Sequence, residues 1–148
     1  MNQLTQDYIN LGNQFVSFVK SIDQNKLDVK PEDGEWSASF AIHHLADFEI
    51  HFAARFLRIL TEEKPDIQSY DESLYVNNLN YESRNVNDSI KAIDSIRTMI
   101  GDVLTKVKES DFQRIGNHSE KGLVKLEDMI GYCNNHIKNH LEQVKKSI

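Results

Sequence analysis

Apolar side chains recur at steps of three and four residues in four segments, and this spacing predicts a helical fold. In the first segment the apolar positions form one stripe that ends before Asp23, as expected for one face of a helix with 3.6 residues per turn. The stripe consists of Leu4, Tyr8, Leu11, Phe15, Phe18 and Ile22. With only two prolines and six glycines, the composition favours long helices over strands and turns.

Three further segments have the same periodicity. Ser37 is the predicted N-cap of the second helix, which ends before Pro65 because proline disfavours helix at the preceding residue. The third helix starts near residue 87 and the fourth near Val124. The link over 65–87 is irregular and long for a compact bundle, with a short helical turn expected over 70–75. Residues 112–122 are predicted to form a loop. The fold expected is an all-α four-helix bundle in a single domain, residues 1–148.

Composition excludes several classes of function. The net charge of −6 and the absence of a Lys/Arg cluster argue against a nucleic-acid partner. No apolar run approaches the ~18 residues that a membrane span needs, and the polar first residues lack the pattern of a signal peptide. The single cysteine, Cys133, cannot form an internal disulfide and suits a reducing compartment. The prediction is a cytoplasmic, bacterial protein.

Histidines provide the candidate site. His136 and His140 are four residues apart and therefore lie on one face of the fourth helix, an arrangement by which one helix offers two imidazoles to a metal ion. His44 lies at the edge of the apolar stripe of the second helix. His43 points about 100° away from His44, so only one of these two adjacent histidines is expected to face the bundle interior.

Several short motifs combine over nearly the whole chain. They are Trp36-Ser37, His44-Leu45-Ala46-Asp47, Tyr70-Asp71, the loop Arg114-Ile115-Gly116-Asn117-His118…Gly122, and His136-x-x-x-His140-Leu141-x-Gln143. In order and spacing the chain resembles the DinB/YfiT-like superfamily of proposed metalloenzymes. The resemblance implies a four-helix bundle with a long crossover between the second and third helices. It also implies a metal triad formed by His44, His136 and His140.

Three neutral imidazoles leave an open coordination position, which is typical of catalytic and not of structural metal sites. Zinc or nickel is expected, and iron or manganese would also accept these ligands. Other candidates have two interpretations each. His118 either acts as an acid, base or substrate contact or is a solvated loop histidine. His51 and Arg55 either reach a bound anion or, as favoured, have a structural or surface role. Asp47 and Gln143 could orient the histidines but are expected to be solvated, and Cys133 to be inert packing.

The function expected from the resemblance is metal-dependent chemistry on a small-molecule substrate. One possibility is transfer of a low-molecular-weight thiol such as bacillithiol to an electrophile, and another is hydrolysis. No glutamate stands beside the histidines in sequence, unlike in H-E-x-x-H hydrolases, and this favours transfer. The alternatives are a non-catalytic metal-binding protein and a stress-response protein without metal. Ile50 and Leu57, on the far flank of the second helix, make a homodimer plausible.

Overall fold

The computed structural model describes residues 1–148, and most of them lie in helices. The four predicted long helices are present, and the expectation of an all-α bundle is confirmed. They are α1 (Gln3–Ser21), α3 (Ala38–Thr61), α5 (Val86–Lys106) and α6 (Leu126–Ser147). Ser37 caps α3 as predicted, since its hydroxyl accepts a hydrogen bond from the backbone N–H of Phe40. A one-turn helix α2, Gln24–Leu27, follows α1.

The packing of the long helices determines which faces meet. Helices α1 and α3 each pack against both α5 and α6, whereas α1 and α3 share no comparable interface. Consecutive helices are therefore not simply neighbours in an up-and-down order, and α3 lies directly against α6. Because the predicted histidines are on these two helices, this topology brings His44 opposite His136 and His140.

The crossover between α3 and α5 contains short helical segments. A 3₁₀ turn at Glu72–Leu74 leads into the one-turn helix α4, Tyr75–Asn78, so the helical turn predicted over 70–75 is confirmed. Asp71 caps the turn, since its carboxylate accepts hydrogen bonds from the backbone N–H and hydroxyl of Ser73 at 3.0 and 2.6 Å. No helix in the structure combines the length and the apolar character that crossing a membrane requires.

Residues 112–122 were predicted to form a loop, and this prediction was wrong. A 3₁₀ turn, Glu109–Gln113, ends within them, and they contain strand β2, Ile115–His118, which pairs antiparallel with β3, Gly122–Lys125. A two-residue strand β1, Asp66–Ile67, pairs parallel with β2 and places Ile67 beside His118. The sheet therefore fixes the start of the crossover and the strand that carries His118 to each other.

The core is mainly apolar and contains a buried ion pair. Arg97 of α5 donates hydrogen bonds to the carboxylate of Glu49 of α3 at 2.9 Å, and both side chains are almost completely buried. Its other N–H groups donate to the backbone carbonyls of Tyr8 in α1 and Cys133 in α6. One guanidinium thus connects all four long helices, and each of its three nitrogens has an acceptor, as a buried charge requires.

Candidate metal centre

Three imidazoles from two helices converge at one end of the α3–α6 interface. The Nε2 atom of His136 lies 3.2 Å from Nε2 of His44 and 3.2 Å from Nε2 of His140. The ligand atoms of all three residues lie within 4.8 Å of one another. In a tetrahedral site with metal–nitrogen bonds of ~2.0–2.1 Å, two ligand nitrogens are about 3.3 Å apart. Two of the three nitrogen–nitrogen distances therefore match this spacing, and the third is close enough for the group to hold a single cation.

The environment keeps these imidazoles neutral, which is the protonation state that a metal ligand needs. Burial, together with the neighbouring His140 and His44, lowers the pKa of His136 to about 2. Burial also lowers the pKa of His44, although Asp47 opposes this shift. The pKa of His140 is lowered by burial and by His44, against the effect of Gln143. At neutral pH a cation would not have to displace protons from charged histidines.

Hydrogen bonding and stacking orient the rings. The side-chain oxygen of Gln143 lies 2.7 Å from Nδ1 of His140. A carboxamide oxygen only accepts, so Nδ1 donates and Nε2 keeps its lone pair for a cation. The Nδ1 atom of His136 is buried without a partner, and its ring instead stacks on Phe48 at 3.7 Å between centroids. Gln143 was expected to be solvated, and this expectation was wrong.

A carboxylate also reaches the cluster, which sequence reasoning missed. Oε2 of Glu72 in the 3₁₀ turn of the crossover lies 3.7 Å from Nε2 of His44, and the Glu72 side chain remains 58% exposed. Glu72 is 28 positions from His44 in sequence, so no helical spacing could connect the two. The capping Asp71 and the length of the crossover were the only signals available.

The expectation that only one of the adjacent histidines faces the interior was wrong, because both are buried. His43 lies on the α5 side of α3, where Nδ1 is 2.8 Å from the hydroxyl of Ser89. Asp47 is also buried and not solvated. It accepts a hydrogen bond from the Tyr81 hydroxyl at 2.7 Å and pairs with Arg84 at 2.8 Å. These contacts attach the end of the crossover to α3.

The other candidates lie outside the histidine cluster. His51 is 2.7 Å from the hydroxyl of Tyr75 and stacks on Tyr70, so it holds the crossover in place, the structural role that was favoured. Cys133 is completely buried, and burial raises the pKa of its thiol well above the ordinary value, as expected of inert packing. His118 and Arg55 line a neighbouring cavity.

Most of the chain matches a known protein family. Residues 10–144 match the family described as the DinB superfamily. The chain belongs to the DinB superfamily. This confirms the resemblance drawn from the sequence motifs.

Two similar Bacillus proteins carry names that refer to a metal. A Bacillus mycoides (strain KBAB4) protein named "Putative metal-dependent hydrolase" is 27% identical over 139 residues, which cover 94% of this chain and 80% of that protein. A Bacillus cereus (strain B4264) protein with the same description is 28% identical over 139 residues, with the same coverage.

A solved structure shows the same fold. YfiT from Bacillus subtilis, described as "a probable metal-dependent hydrolase with an unusual four-helix bundle topology", superposes with a TM-score of 0.86 at 22% identity. The match covers 99% of this chain and 87% of that one. The predicted four-helix bundle with its long crossover is confirmed.

Proposed function

We propose that this DinB protein is a metal-dependent hydrolase that acts on a small molecule, with His44, His136 and His140 as the ligands of one divalent cation. The observation that carries the proposal is the convergence of three neutral Nε2 atoms, 3.2 Å from one to the next, with a carboxylate 3.7 Å from His44. The names of the similar Bacillus proteins support the same reaction type.

A cation held by these three histidines would supply Lewis acidity, which would lower the pKa of a nearby water molecule. Zinc or nickel is the expected ion, while iron and manganese are also compatible with imidazole ligands. The Glu72 carboxylate, whose Oε2 lies 3.7 Å from Nε2 of His44, would act as the general base that accepts a proton from the attacking water. Asp71 caps the turn that carries Glu72, and His51 fixes the following helix through Tyr75, so both residues act by positioning.

Transfer of a low-molecular-weight thiol to an electrophile is the second candidate. The donor set is compatible with it, because three neutral ligands would leave the charge of a dication uncompensated, and this charge would lower the pKa of a bound thiol as well as of water. The sequence argument for transfer was the lack of a nearby glutamate, and Glu72 removes that argument. Hydrolysis is therefore the preferred proposal.

Substitution of Glu72 separates the two reactions. Protein reconstituted with zinc, nickel, iron or manganese is assayed for hydrolysis of 4-nitrophenyl acetate and for coupling of a thiol to monochlorobimane. We expect Glu72→Gln to retain the metal and to lose hydrolysis by roughly 10²–10⁴-fold, the usual contribution of a general base. Glu82→Gln is the matched control, since this exposed residue of the same crossover pairs only with Lys30.

The outcomes discriminate among the candidates. Thiol coupling that depends on metal and survives Glu72→Gln, without hydrolysis, would favour the transferase. Metal bound in a one-to-one ratio without activity of either kind would favour the non-catalytic alternative. If His136→Ala and His140→Ala bind as much metal as the wild type, the proposed ligand set is wrong. The control for metal content is His51→Ala, because His51 is on the same helix as His44 but outside the histidine cluster.

A further inference from the structure

Beside the histidine cluster lies a cavity of about 170 Å³, next to one of about 150 Å³ with which it shares several lining residues. Its near end is formed by Phe48 and Glu72, which contact His136 and His44 respectively. Its far end contains three basic side chains, Arg55, His118 and Lys121. The cavity therefore extends from the proposed metal site to a group of hydrogen-bond donors.

Arg55 is a buried cation without a carboxylate partner. It is 9% exposed, and it takes part in none of the ion pairs of the molecule. One nitrogen, Nη2, donates to the backbone carbonyl of Gln68 at 2.8 Å, and the guanidinium lies 4.8 Å from the centre of the Phe52 ring. The remaining N–H groups have no protein acceptor. Arg97, by contrast, is neutralised by Glu49.

The other two basic side chains face the cavity as donors. Nδ1 of His118 accepts hydrogen bonds from the backbone N–H groups of Glu120 and Lys121 at 3.1 and 3.2 Å, so the proton of the neutral ring is on Nε2. Lys121 lies over the ring of Tyr132 at 4.9 Å and forms no ion pair. Burial and the charges of Arg55 and Lys121 lower the pKa of His118, as expected if the three groups lie close together.

An aromatic wall connects the two ends of the cavity. The ring of Phe48 stacks on that of Phe52 at 4.1 Å, and Phe52 lies nearly parallel to Tyr132 at 5.7 Å. The carboxylates at the rim, Glu120 and Asp128, are exposed to water, so they are strongly screened and do not neutralise the buried guanidinium. A flat apolar group can lie along this wall with one end at the histidines and the other at the basic residues.

We propose that this cavity binds the anionic group of the substrate, and that the substrate joins a carboxylate or phosphate to a flat apolar portion. Arg55 binds the anion through its free N–H groups, with His118 and Lys121 as additional donors. The aromatic wall holds the apolar portion and directs the reacting bond towards the histidines. His118 is thus a substrate-binding residue in this proposal.

The substrate class rests on the proposed function, but anion binding can be tested without metal or activity. The probes are benzoate and phenyl phosphate, with benzamide as the neutral isostere and inorganic phosphate as the anion without a ring. Affinities are measured by NMR titration of the metal-free protein in chelator. We expect the two aromatic anions to bind at least about tenfold more tightly than benzamide, the usual gain from hydrogen bonds to a charged group.

Variants assign the binding to Arg55. We expect Arg55→Met to weaken benzoate binding about tenfold and the exposed Lys121→Met to weaken it severalfold, which tests the site even if the buried variant folds poorly. Arg58→Met is the matched control, because Arg58 is one turn nearer the end of α3 and pairs with Glu62. Three results would overturn the proposal. Benzoate and benzamide could bind with equal affinity, or inorganic phosphate could bind as tightly as phenyl phosphate. The third is that the affinity for benzoate is unchanged in both Arg55→Met and Lys121→Met. If anion binding is not observed, the metal-binding tests of the proposed function are unaffected. If the histidines do not bind metal, the anion-binding test is equally unaffected, because it uses metal-free protein.

Discussion

His43 and His44 are consecutive residues with different environments, because successive side chains on a helix point about 100° apart. His44 faces α6 and the other two candidate ligands. His43 faces α5 and is completely buried beside Ser89 and the ring of Tyr81. Burial, reinforced by the nearby charge of Arg84, lowers the pKa of His43 to about 4. His43 is therefore a neutral packing residue, and it lowers the free energy of unfolding at acidic pH.

The protein should lose stability on acidification through His43. A histidine takes up a proton in the unfolded chain below its ordinary pKa of 6.5, but in the folded protein only near 4. The unfolded state thus binds more protons in this window, so the free energy of unfolding falls as the pH falls from 6.5 towards 4. At about 1.4 kcal/mol per pH unit, His43 contributes a loss on the order of 2–3 kcal/mol.

The measurement is urea unfolding in chelator at about pH 7.5 and about pH 4.5, comparing the wild type with His43→Gln. Glutamine does not titrate and can retain a hydrogen bond to Ser89, so the stability of the variant should fall less between the two pH values. The same loss in both proteins would show that His43 does not contribute to acid sensitivity.

At the scale of elements, Arg97 of α5 connects the four long helices through Glu49, Tyr8 and Cys133. Helix α1 packs closely against the Arg97 side chain at Gly12, because a Cβ added there would lie 2.7 Å from Cδ of Arg97. A larger residue at position 12 would displace the guanidinium from its partners. The ion pair therefore specifies how the helices meet as well as joining them.

Removal of one partner of the Arg97–Glu49 pair should strongly lower the free energy of unfolding, whereas removal of both partners should lower it much less. Arg97→Met leaves the Glu49 carboxylate buried without a cation, which costs about 3–5 kcal/mol. The double variant Arg97→Met with Glu49→Leu should recover most of that loss, because no uncompensated charge remains. Lys20→Met, which breaks the exposed Lys20–Asp94 pair between α1 and α5, should cost less than about 1 kcal/mol. Denaturant unfolding of the variants measures all of these effects, and a double variant no more stable than Arg97→Met would contradict the argument.

The elements that could be predicted from sequence are those whose signals are local. The stripe beginning at Leu4, the Ser37 cap and the stop before Pro65 depend on neighbours a few residues away, and they predicted the helices well. The hairpin of β2 and β3 was missed because four-residue strands carry little periodicity and β1, which completes the sheet, is about 50 residues earlier in the chain.

The site shows the same limit. The spacing of His136 and His140 is visible within one helix, whereas adding His44 depended on the family resemblance and its role as a ligand stays a prediction. Glu72, Arg55 and Lys121 come from the crossover, α3 and the hairpin loop, and only tertiary packing brings them together. Glu49 and Arg97 could not be distinguished in the sequence from charges on a solvated face.

At the scale of the whole molecule, the candidate ligands connect two helices that are far apart in the chain. His44 is near the start of α3, and His136 and His140 are in the middle part of α6, so the cluster links positions 92 or more residues apart. A bound cation would therefore connect two helices that must separate on unfolding. Because the unfolded chain has no such preformed site, metal affinity adds to folding stability.

Metal should consequently raise the melting temperature of the whole bundle. At a free metal concentration 100 times the dissociation constant, linkage adds about 2.7 kcal/mol, and for a domain of this size each kcal/mol raises Tm by roughly 2–4 °C. We expect thermal unfolding followed by circular dichroism to show a rise of roughly 5–10 °C between chelator and zinc. His136→Ala should abolish the rise whatever its own starting Tm, while His51→Ala should retain it. A metal-dependent rise that persists in His136→Ala would place the stabilising ion elsewhere, since two imidazoles of an open three-ligand site cannot hold a cation with the affinity of three.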